Sequence, residues 1–398
     1  MDAKSRSSRI KDLVKFLSSV QGDLANISAP PYFLAPYSVV EVGACWCQRP
    51  AIFSAPAFEA DPAKRAYLVL RLVLSALRTK LYVAGSPQVS IKKPLNAFLG
   101  ELFLASWTDE ESKSTVRLVS EQVSHHPPIT AMHLADEAHG VRADGYARVE
   151  MTFNGSVDIR QVGHAVIHVD KYDEDYLIPL TSVKVRGFLG GRLYPEVVDT
   201  YTIESSSGFT SEICFSGSSW FGGKKNAFRA TTFRRDDPAK TPIYTTEGIW
   251  SEGWTATDAR TGKVVEKFNL DAPENAPAPI DLLPLAQQDP WESRRAWKPL
   301  REGLLDGNFR EAVAHKTELE QAQRDMRARE REQGLSPDDW EPRFFKSIPG
   351  TDHTVFHKIA EGTDWELHDD RTKGVWRVDE SKINMQRPFR GSATPMGR

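Results

Sequence analysis

The chain has only three cysteines in 398 residues, Cys45, Cys47 and Cys214. A tetrahedral zinc site needs four ligands, or three and a water, and a disulfide framework needs more thiols at more regular spacing. Neither metal nor disulfides are expected, and a reducing, cytosolic location fits. An excess of charge of one sign is also missing. The 51 Lys and Arg nearly balance 54 Asp and Glu, for a net charge of −3, so the strongly basic footprint of a nucleic-acid binder is absent. The longest apolar run, residues 66 to 77, contains Arg71 and falls short of the roughly 20 residues a spanning helix needs. The opening MDAKSRSSRI carries Asp and Ser and no apolar stretch, so no signal peptide is expected. Any membrane contact is then peripheral. There is no GxGxxG with a distal acid, no Walker loop, no GxSxG elbow, no HExxH and no repeat of fixed period.

What is present suffices for a large core: 40% of the residues are apolar and 26% charged, the balance of a globular chain. The length admits one large domain or two intimate ones. Residues 9 to 27 place Ile10, Leu13, Val14, Leu17, Val20, Leu24 and Ile27 at helical spacing, with a lightly charged face opposite. That spacing predicts an amphipathic helix ending before Pro30-Pro31, able either to pack on the core or to lie reversibly on a lipid surface. Residues 37 to 80 read as helical. From Val141 the pattern switches to period two, with Val141, Ala143, Gly145, Ala147 and Val149 alternating with polar neighbours, and similar short runs continue to Trp250. So many strands in succession predict a large antiparallel sheet or barrel. A Pro/Ala-rich linker at 271–284 precedes charged helical stretches. The last helix is expected to stop at Gly334, and the tail beyond Arg387 to be loosely ordered.

Three clusters carry chemistry. The first is Glu121-Gln122-Val123-Ser124-His125-His126-Pro127-Pro128. Proline after His126 favours an extended backbone, which points neighbouring side chains to opposite faces and disfavours one metal shared by both rings. The pair reads either as a functional element or as two hydrogen-bonding residues at a strand end. His164 and His168 fall on a strand pattern, roughly 13 Å apart at about 3.3 Å per residue. The second cluster, Lys92-Lys93-Pro94-Leu95-Asn96, offers cationic and amide donors suited to phosphate oxygens, or simply solvated lysines. The third, Lys316, Glu320 and Arg324, lies at i, i+4 and i+8 of a predicted helix, as a binding face or a surface ion-pair ladder. The Gly- and Lys-rich stretch from Ser216 to Lys225 reads as a basic hairpin turn. With no nucleophile-base set, these clusters favour binding over catalysis.

The string EQVSHHPP at 121–128 matches the signature of the oxysterol-binding protein-related family, and Lys92 to Glu101 resembles that family's KKPLNPFLGE segment. The likeness continues through GDL and SAPP after the first helix, Gln161 with Gly163-His164, GKKN, ESRRAW and KTELE. It is greatest to the short fungal members without a pleckstrin-homology domain. No two-phenylalanine acidic motif is found, since Phe344-Phe345 precedes Lys346. The resemblance implies an α+β fold: a large incomplete antiparallel β-barrel around an apolar tunnel, with an N-terminal lid helix and a C-terminal helical subdomain. In this chain the parts would be a lid at 1–29, a helical segment at 30–95, a barrel at 96–270 and helices at 271–398, all one lipid-binding domain.

It further implies a non-enzymatic exchanger of a sterol for phosphatidylinositol 4-phosphate between membranes, with no cofactor, no catalytic residue and no metal. Lys93, Asn96, His125, His126, Lys316, Glu320 and Arg324 would form the head-group pocket. Ile10, Leu13, Leu17, Leu24, Lys80, Val149 and Gln161 would belong to lid and tunnel. Ile10 stands where sterol carriers of the family present Trp, and Lys80-Leu81 where they carry Gln-Tyr, so the alternative is a phosphoinositide sensor or carrier whose second ligand is phosphatidylserine, another lipid or none. A cytoplasmic monomer is implied, acting transiently on anionic or loosely packed membranes of the endoplasmic reticulum and Golgi.

Overall fold

The computed structural model describes residues 3–19, 22–25, 27, 29–216, 224–336 and 340–397. The expected helical residue Val20 and most of the expected basic turn, 217–223, lie outside the described residues. The first helix, α1, spans Ala3–Ser19 rather than residues 9 to 27. It stops short because residues 22–25 are fixed instead by a strand: the Leu24 amide donates to the Met151 carbonyl (2.8 Å), and Asp23 accepts from the amides of Met151 (2.8 Å) and Ala25 (2.9 Å). Leu24 therefore docks as an extended segment and is not on the helix.

The stretch expected to be helical at 37 to 80 holds more than helix. Strand β1 (Leu34–Ser38) is followed by a 3₁₀ helix at Val39–Trp46, the short helix α2 (Pro50–Ser54) and the long helix α3 (Pro62–Leu81). β1 pairs in parallel with β2 (Lys93–Leu95), which closes this segment. Asp61 caps α3 by accepting from the Ala63 amide at 3.0 Å, with Pro62 in the first turn, where a missing N–H costs nothing. Leu70, Leu72 and Leu74 of α3 are all fully buried, because the helix is packed by the 3₁₀ segment and by the sheet. One charge on it is also buried: Arg65 pairs with Glu174 at 2.5 Å and donates to the carbonyls of Glu59 and Ala60. That satisfies a guanidinium whose unpaired burial would cost several kcal/mol.

The sheet begins with β3 (Leu102–Asp109), β4 (Ser114–His125), β5 (Pro128–Asp136), β6 (Val141–Phe153) and β7 (Val157–Val169). It continues through β8 (Glu174–Pro179), β9 (Val183–Arg186), β10 (Tyr194–Glu196), β11 (Asp199–Ser205) and β12 (Phe209–Ser216). The last strands are β13 (Ala227–Arg234), β14 (Tyr244–Ile249), β15 (Gly253–Asp258), β16 (Lys263–Asn269) and β17 (Ile280–Asp281). The order is β16-β15-β14-β13-β12-β11-β8-β7-β6-β5-β4-β3-β17, with β9 and β10 as a side branch on β7. Neighbouring pairs are antiparallel and the two end strands do not meet, so the barrel is incomplete. β6 and β7 form its longest hairpin, in register from Val141↔Val169 to Phe153↔Val157. Gly163 on β7 has φ of +132°, and a Cβ there would come within 2.2 Å of the Tyr146 carbonyl oxygen, so only glycine fits that register.

Helices α4 (Ser293–Ala296), α5 (Lys298–Asp306) and α6 (Phe309–Glu332) come next, then the hairpin strand β18 (Phe345–Ile348), helix α7 (Thr354–Ala360) and β19 (Val375–Val378). Together with the early strands they enclose a second core containing Trp291, Trp297, Leu319, Phe344 and Phe345. The expected loose tail is instead packed. Phe389 is buried against Phe344, and the Arg390 guanidinium lies 3.9 Å from the Trp340 ring centroid and 5.1 Å from that of Trp291. Arginine on aromatic faces anchors a segment that has little apolar content.

A third cluster joins α7 to the sheet, and His164 and His353 sit within it, Nε2 to Nε2 at 2.9 Å with stacked rings. One ring must donate and the other accept, so the pair is built for neutral imidazoles. Burial, reinforced by neighbouring charge, lowers His164 to about 3 and His353 to about 4. Both protonate near 6.5 in the unfolded chain, so the stability they contribute is present above pH 6.5 and is lost as pH falls toward 4, at up to about 1.4 kcal/mol per unit for each. Scanning calorimetry should find the Tm advantage of the parent over His353→Asn shrinking between pH 7.5 and 4.5. A constant gap would contradict a neutral pair.

Candidate functional site

The open sheet, α1, the 3₁₀ helix and the end of α3 enclose a cavity of about 240 Å³. Its walls are mostly aliphatic, from Val149, Met151, Val157, Ile159, Val183 and Val185 on the strands. Val149 and Gln161 are register partners on β6 and β7 and both reach the cavity, Gln161 holding the Thr181 carbonyl with its Nε2 at 2.7 Å. From α1 the cavity receives Leu13, Phe16 and Leu17. Phe16 was missed in the sequence reading although it sits three residues after Leu13, a spacing that puts both on one face. Ile10 is buried at 5% exposure but is not among the residues lining the cavity. Leu24 lines it from the docked extended segment.

At one end, β2 and α6 bring the cationic residues together. Lys93 is the hub. Its Nζ donates to the carbonyls of Ala25 (2.9 Å) and Ile27 (2.6 Å) and to Asn96 Oδ1 (2.8 Å), and lies 3.4 Å from the Leu24 carbonyl. Burial, then the charge of Lys316, pushes Lys93 down to about 7. Asp23 and Glu320 act in the opposite direction. Lys316, 7% exposed, is paired with Glu320 one turn along α6.

His125 ends β4, and His126 falls in the two-residue turn to β5. Leaving the strand there frees His126 from alternation. The rings accordingly lie side by side, centroids 4.7 Å apart, not on opposite faces as the extended reading expected. His125 is lowered to about 4 by burial and then by His126, and its buried Nδ1 has no hydrogen-bond partner. A neutral imidazole with an unsatisfied nitrogen is a ready partner for a ligand hydroxyl or phosphate.

Arg324 is not brought into this group. It is exposed, and its guanidinium donates to Gln321 on its own helix at 2.9–3.1 Å. The reason is helical phase: at 3.6 residues per turn, eight residues rotate about 80° from Lys316 and eleven only about 20°. The residue at i+11 is Arg327. It is partly buried, its charge acts on His125, and its Nε and Nη2 lack hydrogen-bond acceptors, although Glu330 lies 3.0 Å from Nε. That phase is a property of the sequence, and it separates Arg327 from the i, i+4, i+8 ladder.

Of the rest of the EQVSHHPP string, Gln122 and Pro128 also line the cavity, and Glu121 fastens the strand to the C-terminal segment. Glu121 is fully buried and accepts from the amides of Arg343 (2.8 Å) and Phe344 (2.9 Å), while burial raises it to about 7. Gln122 ties its own hairpin, donating to the Ser124 carbonyl and accepting from Thr130. Glu101, from the second motif, accepts the Trp297 indole N–H at 3.0 Å. Among the described residues no group of His, Cys, Asp or Glu is placed to hold a metal ion, and no helix is long and apolar enough to cross a membrane.

An open antiparallel sheet around a mainly aliphatic cavity, with Lys92, Lys93 and Asn96 at one end, is the arrangement of a binding protein for apolar ligands. The chain belongs to the oxysterol-binding protein family, whose family model matches residues 12–303. It is 46% identical over 383 residues to "Probable transporter efuK" of Hormonema carpetanum, covering 95% of this chain and 54% of that one. The chain thus spans about half the length of that relative. It is 33% identical to "Protein kes1" of Schizosaccharomyces pombe, covering 87% of this chain and 89% of that protein. Among solved structures, the Osh1 ORD domain in complex with cholesterol superposes with a TM-score of 0.66 at 19% identity, over 85% of this chain and 82% of that one. The Osh3 ORD of Saccharomyces cerevisiae in complex with PI(4)P gives 0.64 at 19%, over 89% and 93%. At such identity these two establish the fold.

The Lys93 clasp is directly measurable. Lys93→Met should speed hydrogen exchange at the Leu24 amide by about tenfold, as loss of a charged hydrogen bond on a local opening would. Mass spectrometry of residues 8–25 would read it, and unchanged protection would show that the clasp does not hold the segment.

Proposed function

We propose that the chain is a non-enzymatic lipid-transfer protein that exchanges a sterol for phosphatidylinositol 4-phosphate, each held in the same cavity. The observation that carries this reading is that Lys93 and Asn96 line one end of a mainly aliphatic cavity, with Lys316 and Glu320 close enough for their charges to act on Lys93 and Arg327 close enough for its charge to act on His125. Lysine and arginine charges would neutralise the phosphate, the imidazoles would donate to its oxygens, and Glu320 would orient Lys316 or accept an inositol hydroxyl. The family membership, and the cholesterol and PI(4)P bound in the Osh1 and Osh3 domains, support it. His126 would contribute from the exposed side. Arg324 would serve only after swinging away from Gln321. The protein would work as a monomer from the cytoplasm, touching endoplasmic reticulum and Golgi membranes transiently.

Lys93 makes closure and head-group binding competitive. An ammonium has three protons, and here they serve the carbonyls of the segment behind α1 and Asn96. A phosphate taking Lys93 would have to displace the carbonyls of Ala25 and Ile27, so loading and release would be coupled to the movement of α1. The apolar face of α1, freed by that movement, is suited to loosely packed membrane. A second reading, in which the partner lipid is not a neutral sterol, is favoured by one observation: Lys80 lies in the cavity wall.

His125→Ala with His126→Ala should lower extraction of phosphatidylinositol 4-phosphate from liposomes by at least about tenfold, while uptake of a fluorescent sterol is kept. Equal extraction by both proteins would sink the head-group assignment. Leu13→Asp with Leu17→Asp removes two apolar contacts of about 1.5–3 kcal/mol each when fully buried. Liposome-to-liposome transfer should slow by at least about tenfold; the parental rate would mean that α1 is a fixed part of the core.

A further inference from the structure

The cavity wall contains three lysines, Lys80, Lys92 and Lys93, and no aspartate or glutamate among its described residues. Lys92 and Lys93 belong to the basic end. Lys80 does not: the charges of Lys316, Asp23 and Glu320 that act on Lys93 do not act on it, and the neighbour that does is Cys45. It sits in the last turn of α3, partly buried, and lines the cavity. Arg78, in the same turn, faces outward and is satisfied by Asp271 and the Ser251 carbonyl. Among the described residues no hydrogen bond or ion pair reaches the Lys80 ammonium. Cys45 cannot neutralise it, because burial pushes that thiol up to about 12.

An unpaired ammonium in an apolar enclosure is costly. The C-terminal end of α3 offsets part of that cost through the helix dipole, which favours a cation there. The remaining demand is for one negative charge. A neutral hydroxyl can accept a hydrogen bond from Lys80 but leaves its charge uncompensated. A phosphate monoester brings more charge than a single ammonium matches, a phosphodiester carries its charge between two substituents and not at an inserted end, and the lining residues nearest in the chain to Lys80 and Cys45, namely Leu81, Val83, Val39 and Val42, supply no further donor. We propose that this cavity accepts an apolar lipid carrying a carboxylate at its inserted end, held by an ion pair with Lys80. The inference rests on the proposed use of this cavity for lipid and specifies the chemistry of the second ligand.

Equilibrium dialysis of the full chain against two matched pairs tests it: cholenoic acid with the corresponding alcohol, and palmitic acid with hexadecanol. In at least one pair the acid should bind about tenfold or more tightly than the alcohol, as a charge-assisted hydrogen bond in a dry site provides. Lys80→Gln and Lys80→Met should each erase that preference by weakening the acid. Failure of the parent to prefer an acid in either pair, including failure to bind any of the four, overturns the inference, as does a preference that survives in either folded variant. Extraction of phosphatidylinositol 4-phosphate by the parent, measured in parallel, reads the proposed exchange separately. Its loss with the acid preference intact would overturn the exchange and leave the Lys80 pairing in place.

Discussion

A single ammonium organises the mouth of this protein. Lys93 is half-buried near another lysine, a position that disfavours a charged group unless acceptors surround it. The acceptors are backbone carbonyls of residues 25 and 27 and the Asn96 amide oxygen. By gathering them, Lys93 fixes the segment behind α1, and with Asp23 and Leu24 bonded to β6 that segment places Leu13, Phe16 and Leu17 against the cavity. Removing those carbonyls would leave a lysine in need of oxygen, so in the proposed exchange closure and phosphate binding would answer one hydrogen-bonding requirement.

The rest of the architecture keeps that mouth in register. The sheet does not close, so its curvature is maintained from inside by α3 and from outside by the C-terminal helices and tail. Glu121 and Glu101 are the fasteners: each is a fully buried carboxylate that accepts N–H groups from a segment more than 190 residues away. Burial raises both, and the hydrogen bonds oppose that rise. Because Glu121 lies four residues before His125, the strand that presents the imidazole is the strand that holds the C-terminal segment. Site geometry and domain assembly therefore share one β-hairpin.

Much of this was legible in the sequence where the signal is local. Alternation from Val141 onward placed strands because a sheet with one face on the core imposes period two, and α6 was readable from its helix formers and its stop near Gly334. The two motifs single out Lys93, Asn96, His125 and His126 because each is a contiguous string. Illegible were the features set by distant partners. The end of α1 is decided by Met151, the order of the tail by Trp291 and Trp340, and the relation of the two imidazoles by a turn that removes His126 from the strand.

The sequence by itself determined that there is a large antiparallel sheet, an amphipathic helix before it, charged helices after it and a set of phosphate-suited side chains, because propensity, periodicity and motif spacing are properties of neighbouring residues. Only the tertiary structure decided which of those side chains meet. It sends Arg324 to Gln321 and brings Arg327 toward His125, since helical phase acquires meaning only once one face of α6 is packed. It also turns Lys80 into the cavity, because the inside of an open barrel is defined by strands and helices far apart in the chain.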